Sequence, residues 1–330
     1  MNNMKKIGLS ALAGSLVAIS ANAAELSVSG SSELTYVDTG GTRGNEVTGN
    51  SFGANNGITF TGSGDVLGGT FSMTRAINDT NTGWGSAFQT LDMGDMGVFS
   101  FDSTGGALVG LTANDDLLPT AYEESWTGVS SSGITGVGST NVIGYRNTYA
   151  GVSISAGYQN APGAAQQGES GSSGAVGNGS VFDVYVATSA VDGLTVGAGY
   201  STNSSGDVGS TSNDTREVLA QVKYAMGPVA VGYKMAQINT GTAATASTAV
   251  TGYSIAFNVN DSFAVSYGQQ DAELESIAGS TAVTEDVTGF SAAYTMGAAS
   301  IRVNHSESSN DGNVSGAEDE TTELSLALSF

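Results

Sequence analysis

The chain has no cysteine, only three prolines among 330 residues, a single histidine, and nine basic residues against 31 acidic ones. Without cysteine, an exported chain of this size must be held by backbone hydrogen bonds or by assembly rather than by disulfides. The shortage of lysine and arginine excludes the basic face that a nucleic-acid partner requires. No run of 18 apolar residues follows the N-terminal segment, which excludes a membrane protein built from helices.

The N-terminus has the layout of a cleaved secretory signal. Two lysines precede an apolar stretch from Ile7 to Ile19, and small residues follow as far as Ala23. We therefore predict a signal peptide over residues 1–23 and a mature chain over residues 24–330. Because both lysines leave with the signal, the mature chain keeps seven basic and 31 acidic residues, a net charge of −24.

The mature chain is rich in glycine, and its apolar and polar residues alternate along many segments. The 48 glycines are typical of many tight turns and closely packed strands. The last ten residues alternate almost without fault: one side carries Leu324, Leu326, Leu328 and Phe330, while the other is small or polar. A strand with this pattern and a terminal aromatic residue predicts the closing strand of an outer-membrane barrel.

The same alternation predicts sixteen strands, which alternate between short and long connections. They cover about residues 25–37, 56–62, 67–77, 84–93, 97–103, 140–149, 152–160, 181–190, 194–203, 215–225, 229–237, 251–259, 263–271, 285–295, 298–306 and 320–330. Short connections include 62–66, and long ones include 38–55 and 104–139. We predict an all-β, 16-stranded antiparallel transmembrane barrel as one domain over residues 24–330, with a water-filled lumen.

Several short segments match a known family. The mature start Glu25–Gly30, the segment Leu91–Asp95, a long third loop over about Thr104–Ser139 and the terminal Phe330 together resemble Gram-negative general diffusion porins, most closely the alphaproteobacterial kind. This resemblance implies a homotrimer of barrels in the outer membrane, with loop 3 folded into each pore as a constriction. It also implies passive passage of small hydrophilic solutes, and it marks Phe330 as the residue of barrel closure.

The resemblance further implies that acidic residues on loop 3 face basic residues on the pore wall and set up a transverse field. The acids are Asp115, Asp116, Glu123 and Glu124. Strand parity places four bases on the lumen side, where a basic residue avoids a cost of about 2–4 kcal/mol in lipid; they are Arg146, Lys223, Lys234 and Arg302. Alternatively, the loop acids are solvated charges, and Lys223 or Lys234 lies at the short-turn rim.

One further wall candidate breaks the alternation. Arg75 shares parity with Phe71 and Met73, so either a bulge turns it into the pore wall or its long side chain reaches the rim.

Acidic residues concentrate in the long connections. Glu318–Glu320 and the set Asp271, Glu273 and Glu275 offer oxygen ligands that suit calcium, although no loop has the spacing of a known calcium motif and solvated charge is the alternative. No other cofactor is predicted. An acidic pore mouth predicts a modest cation preference. The expected partners are outer-membrane lipid and lipopolysaccharide.

Other functions find less support in the residues. An enzyme would need a catalytic set, but the chain has only His305, no cysteine and no Gly-x-Ser-x-Gly elbow. Two alternatives stay open: a substrate-specific outer-membrane channel and a secreted β-rich adhesin. The first often shows an aromatic row along its lumen, and the second has no reason to keep one face of nearly every strand apolar.

Overall fold

The barrel closes through pairing of the first strand with the last. The computed structural model describes residues 25–42, 49–78, 85–104, 109–129, 132–160, 179–204, 214–240, 247–275 and 282–330. Sixteen antiparallel strands pair in sequence order, and β1 pairs with β16. The predicted signal peptide over residues 1–23 lies outside the described residues. Within them, no helix is long and apolar enough to cross a membrane.

The strands have the following bounds: β1 Glu25–Gly41, β2 Phe52–Val66, β3 Gly69–Asn78, β4 Ser86–Asp92, β5 Val98–Thr104, β6 Val142–Tyr149, β7 Val152–Asn160, β8 Ser180–Val191, β9 Leu194–Ser204, β10 Thr215–Met226, β11 Val229–Asn239, β12 Thr248–Asn260, β13 Phe263–Leu274, β14 Val283–Met296, β15 Ala299–Ser309 and β16 Glu318–Ser329. The predicted number, order and type of strands are therefore confirmed.

The largest difference from the sequence prediction is the length of β2. The predicted turn over residues 62–66 is strand, because Gly62 and Gly64 pair with Met73 and Phe71 without a break. The turn lies instead at Leu67 and Gly68, which have φ angles of 56° and 80°. The small residues of this stretch are typical of a turn, but in the barrel they continue the hydrogen-bonded pairing of β2 with β3.

The two faces of the sheet have opposite character. On β16, Leu324 is 49% exposed whereas Ser325 is fully buried, and on β12 Ile255 is 47% exposed whereas Ser254 is 6% exposed. Large apolar side chains thus point outward, and small polar ones point to the interior. In hydrocarbon each backbone polar group needs a partner within the protein, and a closed ring of strands supplies it.

The C-terminal residue contributes directly to closure. The Gly30 N–H donates to the Phe330 carbonyl at 2.9 Å, and the Phe330 N–H donates to the Gly30 carbonyl at 3.0 Å. The Phe330 ring lies flat over Gly30, so that a Cβ at this position would come within 2.3 Å of the ring. Glycine at position 30 therefore provides the space that the terminal aromatic ring occupies.

We predict that Gly30→Val displaces the Phe330 ring and destabilises the barrel seam by about 1–3 kcal/mol, the usual cost of overpacking. Heat modifiability in detergent gels and the thermal unfolding temperature measure the effect. Gly62→Val is the matched control, because it also faces outward on a neighbouring strand and its nearest neighbour atom would lie 3.9 Å away. Equal unfolding temperatures for both variants would contradict the prediction.

Candidate pore constriction

Loop 3, the connection between β5 and β6, lies along the inner wall of the barrel over its described residues 109–129 and 132–141. On the outgoing leg, the Leu117 N–H donates to the side-chain Oε1 of Gln221 on β10 at 2.9 Å, and the Ala121 N–H donates to the Ser266 hydroxyl of β13 at 2.8 Å. On the returning leg, the Thr321 hydroxyl of β16 donates to the Gly128 carbonyl at 2.8 Å. The loop therefore runs past more than half of the strands and back.

Two acidic residues of the wall hold both legs of the loop near its base. Asp183 on β8 accepts hydrogen bonds from the N–H groups of Leu111 at 3.1 Å and Val137 at 3.0 Å. Glu217 on β10 accepts from the N–H groups of Thr135 at 3.1 Å and Gly136 at 2.9 Å. Hydrogen bonds to a charged acceptor are about twice as strong as neutral ones, so these carboxylates fix the loop entrance.

Apolar packing also holds the base of loop 3 against the wall. One buried cluster joins Leu111 of loop 3 to Tyr185 and Leu219, and another joins two loop valines to two wall valines; the valines are Val109, Val137, Val142 and Val181. Leu111 fits against Gly199, where a Cβ would lie 2.1 Å from the leucine Cδ2 atom. At this position the small wall residue leaves space that a loop 3 side chain fills, so the space is not part of the water-filled lumen.

The predicted acid pair Asp115 and Asp116 lies beside one of the predicted bases. The Lys234 ammonium is 3.6 Å from the Asp116 carboxylate and 3.8 Å from the centre of the Trp126 ring, so two loop residues enclose it. Burial raises the pKa of both aspartates, and the Lys234 charge partly opposes that rise. Lys234 therefore serves as a local counter-ion to loop 3.

The other two predicted acids lie on the same loop. Burial raises the pKa of Glu123, and the neighbouring Glu124 charge raises it further. Glu123 also accepts a hydrogen bond from the Thr127 hydroxyl at 3.3 Å. No base is within ion-pairing distance of either glutamate in the described part of the chain.

Arg302, another predicted base, is tied to the tip of loop 3. Its guanidinium forms an ion pair with Glu33 of β1 and lies 4.2 Å from the centre of the Tyr122 ring. The Tyr122 hydroxyl donates to Glu323 of β16 and, at 3.3 Å, to Glu33. Arg302 thus offsets the negative charge of Glu33 beside the tip of loop 3.

The remaining predicted bases separate into two groups. Arg146 and Lys223 face the lumen, opposite the inward residues Ser155 and Thr195, and form no ion pair with any described residue. Arg75 does not face the lumen. Strand β3 pairs with β2 without a register shift, and Arg75 lies opposite the outward Phe60, so its assignment to the pore wall is wrong.

The transverse row of bases that the resemblance implies is not seen. Lys234 and Arg302 contact loop 3 itself, and the described residues of β1–β5 present no inward lysine or arginine. That wall is lined mainly by hydroxyl groups, as the pairing register shows; they belong to Ser27, Ser29, Thr59, Thr61, Ser63, Ser72, Thr74, Thr90 and Ser100. The same wall also carries inward acids, among them Glu33, Asp92 and Asp102, so it adds no described positive charge opposite the acids of loop 3.

Sequence reasoning missed the wall acids. Asp183, Glu217, Glu33 and Glu323 all lie on the inward face of their strands, and each contacts loop 3 or its counter-ions. Their signal was available, because the alternation that placed the bases in the lumen applies equally to acids within strands.

Two other candidate sites were a metal cluster and the single histidine. No group of three His, Asp or Glu side chains among them could hold a metal ion, and calcium in the loops stays a prediction. His305 points outward, with its ring 2.8 Å from the Thr322 hydroxyl and 3.1 Å from Glu307. These contacts place it on the outer face of β15, away from loop 3.

Comparison with known proteins identifies the family. The family model for Gram-negative porins matches residues 8–329. No curated protein sequence matches the chain significantly. Among solved structures, a porin refined at 1.8 Å resolution is similar at 17% identity and a TM-score of 0.65, with 93% of this chain and 100% of that chain covered.

Two further structures extend the likeness. An anion-selective porin from Comamonas acidovorans is 14% identical, with a TM-score of 0.63 and coverage of 93% and 100%. OmpT of Vibrio cholerae in its trimer form is 12% identical, with a TM-score of 0.60 and coverage of 93% and 99%. At these identities the structures show the shared fold. Together with the family match over nearly the whole sequence, they show that this chain belongs to the Gram-negative porins and forms a channel for passive diffusion across the outer membrane.

Proposed function

We propose that loop 3 forms the constriction of this channel and that its carboxylates give the pore a modest preference for cations. The supporting observation is the chain of contacts that holds loop 3 against the inner wall from β7 to β16. Loop 3 carries four predicted acids, and Lys234 is the base that contacts it through an ion pair. A narrow passage with surplus negative charge attracts cations where screening by water is poor.

The fold alone does not set ion selectivity. The Comamonas acidovorans neighbour shares the barrel and is an anion-selective porin. Selectivity must therefore follow from the charges that line each pore. In this chain the wall of β1–β5 presents hydroxyl groups to loop 3 and no described base, which favours cations.

A substrate-specific channel is less well supported. Such channels use aromatic rows along an open lumen, whereas the described strands turn only Phe88 and Tyr185 inward, and Tyr185 is only 3% exposed because loop 3 covers it. Its hydroxyl accepts a hydrogen bond from Gln221 at 2.9 Å. Tyr185 thus supports the loop rather than a path for solute.

We predict that Asp115→Asn with Glu124→Gln lowers the cation-to-anion permeability ratio several-fold. A carboxylate attracts a cation at about 4 Å by about 1 kcal/mol in water-like surroundings, so the loss of two charges is measurable. Reversal potentials in a salt gradient across a planar bilayer give the ratio. Asp261→Asn, in a short turn, is the control and should leave the ratio unchanged. A wild-type channel that prefers anions would overturn the proposal.

We also predict that the cation preference declines as the pH falls, starting above the usual aspartate pKa of about 3.9. The charged form of each carboxylate attracts cations, and burial raises the pKa of Asp115, Asp116 and Glu123. A raised pKa means that protonation, and loss of attraction, begins at a higher pH than for an exposed acid. Reversal potentials between about pH 8 and pH 4 test this. A ratio that stays constant down to the ordinary aspartate range would refute it.

The anchoring of loop 3 provides a separate test. Asp183→Ala with Glu217→Ala removes the acceptors of four backbone N–H groups at the base of the loop. Each unpaired group costs about 1–3 kcal/mol, so the loop should detach while the barrel stays closed. We expect faster proteolysis within residues 109–141 and noisier single-channel current, with heat modifiability retained. Asp192→Ala, at an exposed turn, should show neither change.

We propose further that the protein is a homotrimer, with the outer face of β1–β4 at the subunit contact and the rest of the outer face against lipid and lipopolysaccharide. Five polar residues interrupt the apolar outer surface of these strands; they are Ser32, Asp38, Asn56, Arg75 and Gln89. Ser32 donates to Asn56 across the strands at 2.5 Å. A basic residue facing lipid costs about 2–4 kcal/mol near the midplane, a cost that a protein partner avoids. The OmpT neighbour has a trimer form.

Arg75→Leu discriminates between the two environments. If Arg75 faces lipid, the variant should stabilise the barrel and leave its assembly unchanged. We predict the opposite result, in which the trimer dissociates at a lower temperature in unheated gels while the monomer barrel remains folded. Ile154→Leu, on the outer face of β7, is the control and should not change dissociation.

A further inference from the structure

A cavity of about 840 Å³ lies between loop 3 and the wall of β5–β9. Asn114 and Leu117 of loop 3 form one side, and Arg146, Ser155 and Tyr185 belong to the wall. Arg146 lies four residues before Ala150, which begins the short turn between β6 and β7. Short turns mark the periplasmic rim of such barrels, so the cavity is on the periplasmic side of loop 3.

The Arg146 side chain is exposed within this cavity and forms no ion pair with any described residue. The acid that shares the cavity, Asp92, is held elsewhere, because it accepts a hydrogen bond from the Gly94 N–H at 2.8 Å. The pairing register places Val98 between Asp92 and Arg146. Strands lie about 4.8 Å apart, so about 10 Å separates the two backbones. The guanidinium is therefore free to bind a ligand.

Neutral hydrogen-bonding groups surround this charge. Hydroxyl groups line the cavity in two cross-strand pairs, Thr148 with Ser153 at 3.0 Å and Ser189 with Thr195 at 2.9 Å. A guanidinium with five fixed donors matches carboxylate and phosphate oxygens, and hydroxyls can complete the coordination of an anion.

We propose that this cavity binds small organic anions that carry a carboxylate or a phosphate group and that enter from the periplasmic mouth. The inference rests on the proposed function, since it requires a water-filled path past loop 3. It also specifies that anions reach the site from the periplasmic side. The four predicted acids of loop 3 repel an anion that approaches from the outside, whereas on the periplasmic side the residues that follow Arg146 on its strand, Asn147–Tyr149, are neutral and Asp92 is the one acid among the described residues that line the cavity.

Open-channel block of the purified full-length protein in planar bilayers tests the site. Succinate and glycerol 3-phosphate are the anionic probes, and glycerol is the neutral control. We expect each anion, added on the short-turn side, to reduce the KCl current at lower concentrations than from the long-loop side, and glycerol to have no such effect. Block by only one anion supports the site and assigns its ligand.

Variants separate the site from the general field of the pore. Arg146→Gln should raise the half-blocking concentration about tenfold or more, the scale of a lost charge-assisted hydrogen-bond pair, and Arg146→Lys should give an intermediate value. Lys223→Gln removes the same charge from an inward residue that does not line the cavity, and it should change the value less than about twofold.

The outcomes that overturn the proposal are distinct. Equal weakening by Arg146→Gln and Lys223→Gln would mean that the anions respond only to net charge in the lumen. A wild-type protein that conducts KCl but shows no block would overturn the anion site and leave the channel intact. A wild-type protein without KCl conductance steps would overturn the channel itself, and the site with it.

Discussion

The requirement that every backbone N–H and C=O in hydrocarbon find a partner within the protein determines the rest of this structure. Sixteen strands satisfy it by closing through β1 and β16, and closure in turn divides every strand into a lipid face and a lumen face. With apolar side chains turned outward, the interior receives small and polar residues. The buried apolar clusters of the described residues are then found where loop 3 meets the wall.

Loop 3 faces a second requirement, because the backbone N–H and C=O groups of a segment inside the lumen also need hydrogen-bond partners. It meets this requirement by donating N–H groups to wall side chains rather than by forming secondary structure. Asp183 and Glu217 hold its base, whereas Ser266 and Ser291 accept N–H groups nearer its tip. Lys234 and Arg302 then offset part of the negative charge that accumulates there. Two of the bases that the sequence placed on the pore wall therefore contact the loop itself.

Most of the fold could be predicted from the sequence because a period of two is imposed by the membrane on every strand. That rule placed Leu324 and Ile255 outward and four of the five candidate bases inward. It failed at 62–66, where glycines within a strand resemble a turn. For Arg75 it gave the outward parity, but the assignment to the pore wall relied on a bulge that is not there. The period of two could not predict the contacts of loop 3, because these contacts join side chains that are distant in sequence, such as Tyr122 and Glu323.

The pairing of Gly30 with Phe330 joins the first strand to the last residue of the chain. The ring closes only when β16 pairs with β1, so both outer strands keep unpaired edges until β16 has been synthesised and exported. Contacts between the ends of a chain form slowly, and exposed strand edges invite association with other chains. The biogenesis of this protein therefore demands protection of an open sheet outside the cytoplasm until its two ends meet.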